Sequence, residues 1–205
     1  FDFHGEDISK DSDMGVVKRI KCNGEGYDQP NDGSQVELEI KGSTNGKVFD
    51  ERKVNFEVGE GLDIGIPRGI EFALEKMKKN EIAQITLKPE YGFGINGNVD
   101  KGVGPNSTLV YEVKVITFEK AKESWQLDAD AKLEQAKIFK DKGTKHFKDS
   151  KFEIASTRYQ KVIDFLEHEI SLKGDSEAER KSILQAGRLN LALCYLKMDK
   201  WIEAR

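Results

Sequence analysis

The sequence predicts two folded parts. The first is an α+β domain, a twisted antiparallel β-sheet wrapped on one short helix; the second is an all-α domain of repeated helices. Three observations carry this. Apolar and polar residues alternate in several runs between Met14 and Glu119. Glycine and proline nearly vanish after Glu119, and the apolar spacing becomes helical. Small residues recur at one fixed spacing in the second half, Gly143 with Ala155 and Ala192 with Ala204.

Residues 1–13 read as a linker, because Glu6, Asp7, Asp11 and Asp13 crowd it and no periodicity survives. The predicted β-domain covers 14–119. Val36–Ile40 alternates as a half-buried strand should, and Ile82–Leu87 and Leu109–Ile116 do much the same. Turn signals separate them at Pro30-Asn-Asp-Gly33, Asn45-Gly46 and Pro105-Asn106. Asn45-Gly46 is the strongest hairpin signal in the chain. One short helix fits Gly69–Lys78, with Ile70, Ala73, Leu74 and Met77 on one face. Over 120–205, helices are predicted near Asp128–Lys148, Lys151–Glu169 and Ser176–Lys197, with another starting at Trp201. Ser176 followed by Glu179 resembles a capping box.

The helical half hides a repeat. Lys140-Asp-Lys-Gly143-Thr144 precedes Ala155 and Tyr159; Leu189-Asn190-Leu-Ala192 precedes Tyr195 and Ala204. The small residues fall where two paired helices would cross closely and larger side chains would hold them apart. This is the pattern of a tetratricopeptide (TPR) repeat, whose usual period is about 34 residues. Here the separation is longer, and the excess lies around Glu167–Glu179. The segment 120–205 is read as a first repeat and part of a second.

Composition narrows the function classes. A chain of 205 residues, 37% apolar and 34% charged, suits one or two ordinary domains. A net charge of −4 argues against nucleic acid as the main partner, although the lysine-rich stretch Lys132–Lys151 leaves room for a local basic groove. Cys22 and Cys194 sit in different halves and read as reduced thiols, neither a disulfide nor a zinc site. No apolar run approaches the ~20 residues that span a bilayer, so no membrane partner is expected, and no cofactor signature is convincing. Gly92-Phe-Gly-Ile-Asn-Gly97 satisfies a dinucleotide-loop pattern, but the residues up to Pro105 cannot form the helix such a site needs. His4, His146 and His168 are scattered and are expected at the surface. Asn106-Ser-Thr108 is a glycosylation sequon expected to lead a strand, and Ser9 and Ser12 are weak phosphorylation candidates. The absence of an initial Met and the helical pattern at the end suggest a piece of a longer chain.

Four segments then match one family in order and spacing: Phe49-Asp50; Arg68-Gly69-Ile70; Lys88-Pro-Glu-Tyr-Gly-Phe-Gly94; and Pro105-Asn-Ser-Thr-Leu-Val-Tyr111. Residues 14–119 resemble an FKBP-type immunophilin domain, the prolyl-isomerase family. Phe118-Glu-Lys-Ala-Lys-Glu-Ser-Trp125 looks like the junction of TPR-containing members, and Phe1-Asp-Phe3 looks like the end of an earlier FKBP domain. The resemblance implies the second FKBP domain of a multidomain cochaperone.

An isomerase of this family must favour a twisted imide over a planar one, against a barrier of about 18–20 kcal/mol. The family is understood to use an aromatic-lined apolar hole with a few hydrogen-bond donors. Phe49, Asp50 and Tyr111 match its wall. Other positions depart from the family pattern: Ile70 replaces the tryptophan floor, Phe93 lacks the tyrosine hydroxyl, and Ile40 replaces a tyrosine. Ile66-Pro67 replaces the Val-Ile pair, so a backbone donor is lost. The segment after Asp50 is also shorter. At about 1–3 kcal/mol for each lost contact, the expectation is a weak or inactive domain acting as a spacer. The alternative is an active isomerase with an altered pocket. The whole protein would then be an active isomerase through a domain upstream.

For the TPR part, the resemblance implies docking of the acidic C-terminal peptide of heat-shock protein 90 by a carboxylate clamp. Lys140 and Asn190 match two clamp positions, and Thr144 stands where many clamps carry Asn. The remaining basic clamp residues belong to a third repeat, beyond Arg205. The resemblance further implies client proteins such as steroid receptors, and a cytoplasmic location with the nucleus as a second one.

Overall fold

A computed structural model describes residues 5–199. The helix expected from Trp201, the repeat position Ala204 and the segment Phe1–Phe3 lie outside the described residues. The chain divides into two compact units, Phe1–Ala121 and Lys122–Arg205.

The first unit carries one six-stranded antiparallel sheet. Its strands are β1 (Glu6–Asp7), β2 (Val16–Cys22), β3 (Gln35–Thr44), β4 (Lys47–Glu57), β5 (Ile82–Leu87) and β6 (Leu109–Glu119). Their order across the sheet is β1-β2-β5-β6-β3-β4. The alternation in β3 and β6 sends Val36, Leu38, Ile40, Tyr111, Val113 and Val115 into the core. The intervening residues form cross-strand charge pairs on the wet face, Lys53 with Glu37 at 2.7 Å and Lys114 with Glu39 at 3.1 Å. Such exposed pairs contribute little stability, but they keep that face solvated. Asn45 and Gly46 both take positive φ, +49° and +76°, and close the β3–β4 hairpin in a turn that matches strand twist.

The helix on the inner face, α1 (Arg68–Leu74), is shorter than the periodicity predicts. After Leu74 the backbone tightens, with Lys76 and Met77 donating to carbonyls three residues back. Met77 nevertheless stays buried beside Ile70, Ala73 and Leu74. The acidic segment before Met14 is also more ordered than a linker. β1 pairs with β2, Ser9 N donates to Asp7 Oδ1 at 2.9 Å, and Gly15 N donates to Asp13 Oδ1 at 2.8 Å. Carboxylate-to-backbone bonds hold it, and periodicity does not register these.

The second unit is a set of TPR-like helices, α2 (Ala129–Lys148), α3 (Phe152–Leu166) and α4 (Gly174–Lys197). Asp128 caps α2 by accepting from Ala131 N at 2.8 Å. Gly143 lets the α3 ring of Tyr159 lie against α2: a β-carbon there would sit 2.8 Å from Tyr159 Cε1. Gly187 does the same for Val162 at 3.0 Å, a close approach the repeat analysis did not single out. α4 begins at Gly174, so Ser176 and Glu179 lie inside its first turns and do not form the expected capping box. The buried Leu172 pins the chain just ahead, and Gly174, at φ +59°, turns it into the helix. His168 is exposed as expected. His146 is buried instead, because it continues the buried stripe of α2 through Leu133, Ala136, Phe139 and Gly143. No helix among the described residues is long and apolar enough to cross a membrane.

Candidate functional site

The site begins with a kink in β4. Gly42 of β3 pairs with Asp50, yet Ser43 pairs with Val48, so Phe49 is the extra residue of a β-bulge. The bulge is why two residues adjacent in sequence can face the same side of the sheet. The Phe49 ring meets Tyr111 edge-on, with centroids 5.6 Å apart and planes at 85°. It meets Phe93 at 6.2 Å and 67°. Gly42 makes room beneath them: a β-carbon there would lie 2.7 Å from Tyr111 Cε1 and 2.8 Å from Phe49 Cζ. Sequence reading did not single out Gly42, although a glycine inside an alternating strand marks a bulge or a close approach.

Asp50, only 8% exposed, is fully engaged. Arg52 Nε lies 3.0 Å from Asp50 Oδ1, and Lys101 Nζ binds Asp50 Oδ2. Arg52 also donates to the Ile64 carbonyl, which ties the acid to the 3-10 turn Gly61–Ile64. That turn is held by Glu71 of α1, a buried carboxylate that accepts from Gly59 N at 2.6 Å and Gly61 N at 2.9 Å. Lys101 and Glu71 belong to the site's frame but left no motif or periodicity by which the sequence could reveal them.

The other candidate residues are mostly sealed. Ile66, Ile70 and Tyr111 have no exposed surface, and Ile40 is at 3%. Pro67 is buried, sits at φ −63° and ψ 146° as the N-cap of α1, and has no N–H to offer. Phe49 and Phe93 are half-buried and are the aromatic surface left at the mouth. The Tyr111 hydroxyl is buried without a hydrogen-bond partner. Burial, with the Asp50 carboxylate adding to it, pushes this phenol well above its ordinary range.

The pattern of the FKBP-type peptidyl-prolyl cis-trans isomerase family matches residues 26–116. The chain carries an FKBP-type domain. The chain as a whole is 42% identical over 204 residues to the rat protein named peptidyl-prolyl cis-trans isomerase FKBP4, and 36% identical over 201 residues to the fruit-fly FK506-binding protein 59. It spans 44% and 45% of the length of these two relatives, while they align with 100% and 98% of it. A solved multi-domain immunophilin from Arabidopsis thaliana matches 98% of this chain and 80% of its own length, at 24% identity and a TM-score of 0.52, which is a likeness of fold.

The bulge, the ring cluster and Asp50 all fall inside the matched segment; Ile40, Ile66, Ile70 and Tyr111 belong to one apolar core, Phe49 and Phe93 pack against it, and Asp50 and Pro67 adjoin Phe49 and Ile66 in the chain. In the helical unit the three clamp candidates stand differently. Lys140 is partly exposed, with its ammonium 3.7 Å from Asp141 Oδ1 of the same helix. Thr144, one turn on, donates to the Lys140 carbonyl at 2.9 Å and accepts from the Tyr159 hydroxyl at 3.2 Å. Its hydroxyl is thus spent on the α2–α3 contact. Asn190 is half-buried on α4.

Proposed function

We infer that this FKBP-type domain has little or no isomerase activity and serves as a spacer and interaction domain in a larger cochaperone. One observation carries the reading: the candidate wall residues are buried in the core or engaged by neighbours. Ile66, Ile70 and Tyr111 are fully buried, Pro67 offers no amide, and Asp50 is taken by Lys101 and Arg52. Rotation of an imide needs an apolar surface against the ring and donors that hold the turned carbonyl, and this recess supplies few of either. A protease-coupled prolyl-peptide assay on the whole chain tests it. The expected result is turnover barely above the spontaneous rate, and turnover comparable to a proficient isomerase would overturn the reading. In the full-length protein, isomerase activity would then reside in a further FKBP domain.

The retained cluster of Phe49, Phe93 and Tyr111 favours a second reading, an active isomerase with an altered pocket. The same assay decides between the two.

For the helical part, Lys140 and Asn190 support docking of a C-terminal acidic peptide such as that of heat-shock protein 90. A lysine and an amide on successive first helices suit a terminal carboxylate and its backbone. Titration of that peptide into the protein carrying its complete set of repeats should weaken roughly tenfold with Lys140→Ala or Asn190→Ala. Amidation of the peptide's C-terminus should abolish binding. Client proteins such as steroid receptors, and a cytoplasmic and nuclear location, follow from this reading.

A further inference from the structure

The spacer reading treats the recess as degraded by substitution, but the loop before β6 adds something else. Residues Asn98 to Val103 form a tight hairpin: Asn98 N donates to Val103 O at 2.8 Å, Val103 N donates to Asn98 O at 2.9 Å, and Gly102 N donates to Val99 O at 3.0 Å. The hairpin is anchored, because Val103 is buried in the core. Asn98 Oδ1 also accepts from Lys101 N at 3.0 Å, which fixes the backbone from which the lysine projects. The Lys101 stem passes over Gly65, where a β-carbon would come within 2.9 Å of Lys101 Cε. Gly65 itself is at φ +73°, so only a glycine fits there without strain. The stem ends with its ammonium on Asp50, and that side chain is only 17% exposed.

We propose that Lys101 is a built-in occupant of the recess, a latch that holds Asp50 and closes the mouth beside Phe49 and Phe93. Three features set this apart from a chance surface ion pair. The carboxylate is buried, the lysine comes from a hairpin anchored in the core through Val103, and a glycine clears its path. A ligand that is to lie between Phe49, Phe93 and Asp50 must first lift the ammonium off a desolvated carboxylate. The recess is therefore shut by a movable side chain in addition to the permanent losses at Ile70, Phe93 and Pro67. The proposal rests on the spacer reading, since it explains part of the same inactivity.

The test measures binding of FK506 by the whole chain, compared among wild type, Lys101→Ala, Lys101→Met and Lys101→Arg, with thermal melting to confirm folding. Wild type should bind weakly. Lys101→Ala should bind roughly tenfold or more tightly than wild type, because the charge-assisted bond no longer competes. Lys101→Met, which keeps the stem and loses the charge, should fall between them, and Lys101→Arg should stay near wild type. If wild type binds weakly and both Lys101→Ala and Lys101→Met are indistinguishable from it, the latch is wrong and the spacer reading stands. If wild type itself binds tightly, the closed recess is wrong and the spacer reading falls with it.

Discussion

Asp50 and Tyr111 are matched to the family by sequence, and their surroundings in this fold can be stated residue by residue. The Asp50 carboxylate is buried, with Arg52 and Lys101 on its oxygens. The phenol lines the same wall, yet its oxygen is buried with no partner. A buried hydroxyl without a hydrogen bond costs free energy, whereas its removal costs little. Tyr111→Phe should therefore leave stability unchanged or raise it by up to about 1 kcal/mol, read from the urea midpoint; a clear loss would show that the oxygen is engaged after all. Glu169 makes the opposite case. Lys132 and Ser171 hold its carboxyl down to about 2, against 4.5 for the free side chain. Because the folded value is the lower one, this stabilisation is complete above about 4.5 and is lost as pH falls from there toward 2. Hydrogen exchange along α3 and α4 should quicken over that window, and Lys132→Met should remove much of the pH dependence.

Elements follow the apolar pattern where burial is regular and depart from it where hydrogen bonds take over. β3, β6 and the three long helices were legible because a core-facing stripe repeats with the period of its own backbone. The end of α1, the start of α4 and the strand β1 were not, since each depends on local backbone geometry or on a carboxylate meeting an amide. The bulge at Phe49 belongs here too: only strand pairing reveals that two neighbours in sequence share a face. Close packing of α2 on α3 hangs on Gly143. Gly143→Val must push away the Tyr159 ring, which a β-carbon alone would already meet at 2.8 Å. The expected cost is about 1–3 kcal/mol, measured as a lower midpoint for the helical unit, while the sheet unit stays unchanged.

At the scale of the molecule, the question is whether the missing pocket groups could be put back. Ile70 has no exposed surface and lies in a filled core. Replacing it with a much larger indole overpacks that core. Ile70→Trp together with Phe93→Tyr should thus lower stability by about 1–3 kcal/mol and leave isomerase turnover at the level of the unmodified chain. Recovery of substantial turnover would mean that the core can yield and that these two side chains alone set the turnover of the domain. The amino-acid sequence by itself determined the α+β sheet and helix, the TPR-like helices after it, and the family, because apolar periodicity and short motifs are properties of neighbours along the chain. Only the tertiary structure decided which groups surround Asp50. Lys101 reaches Asp50, and Glu71 reaches the turn Gly61–Ile64, from other segments of the chain, and no local pattern records contacts between side chains so placed.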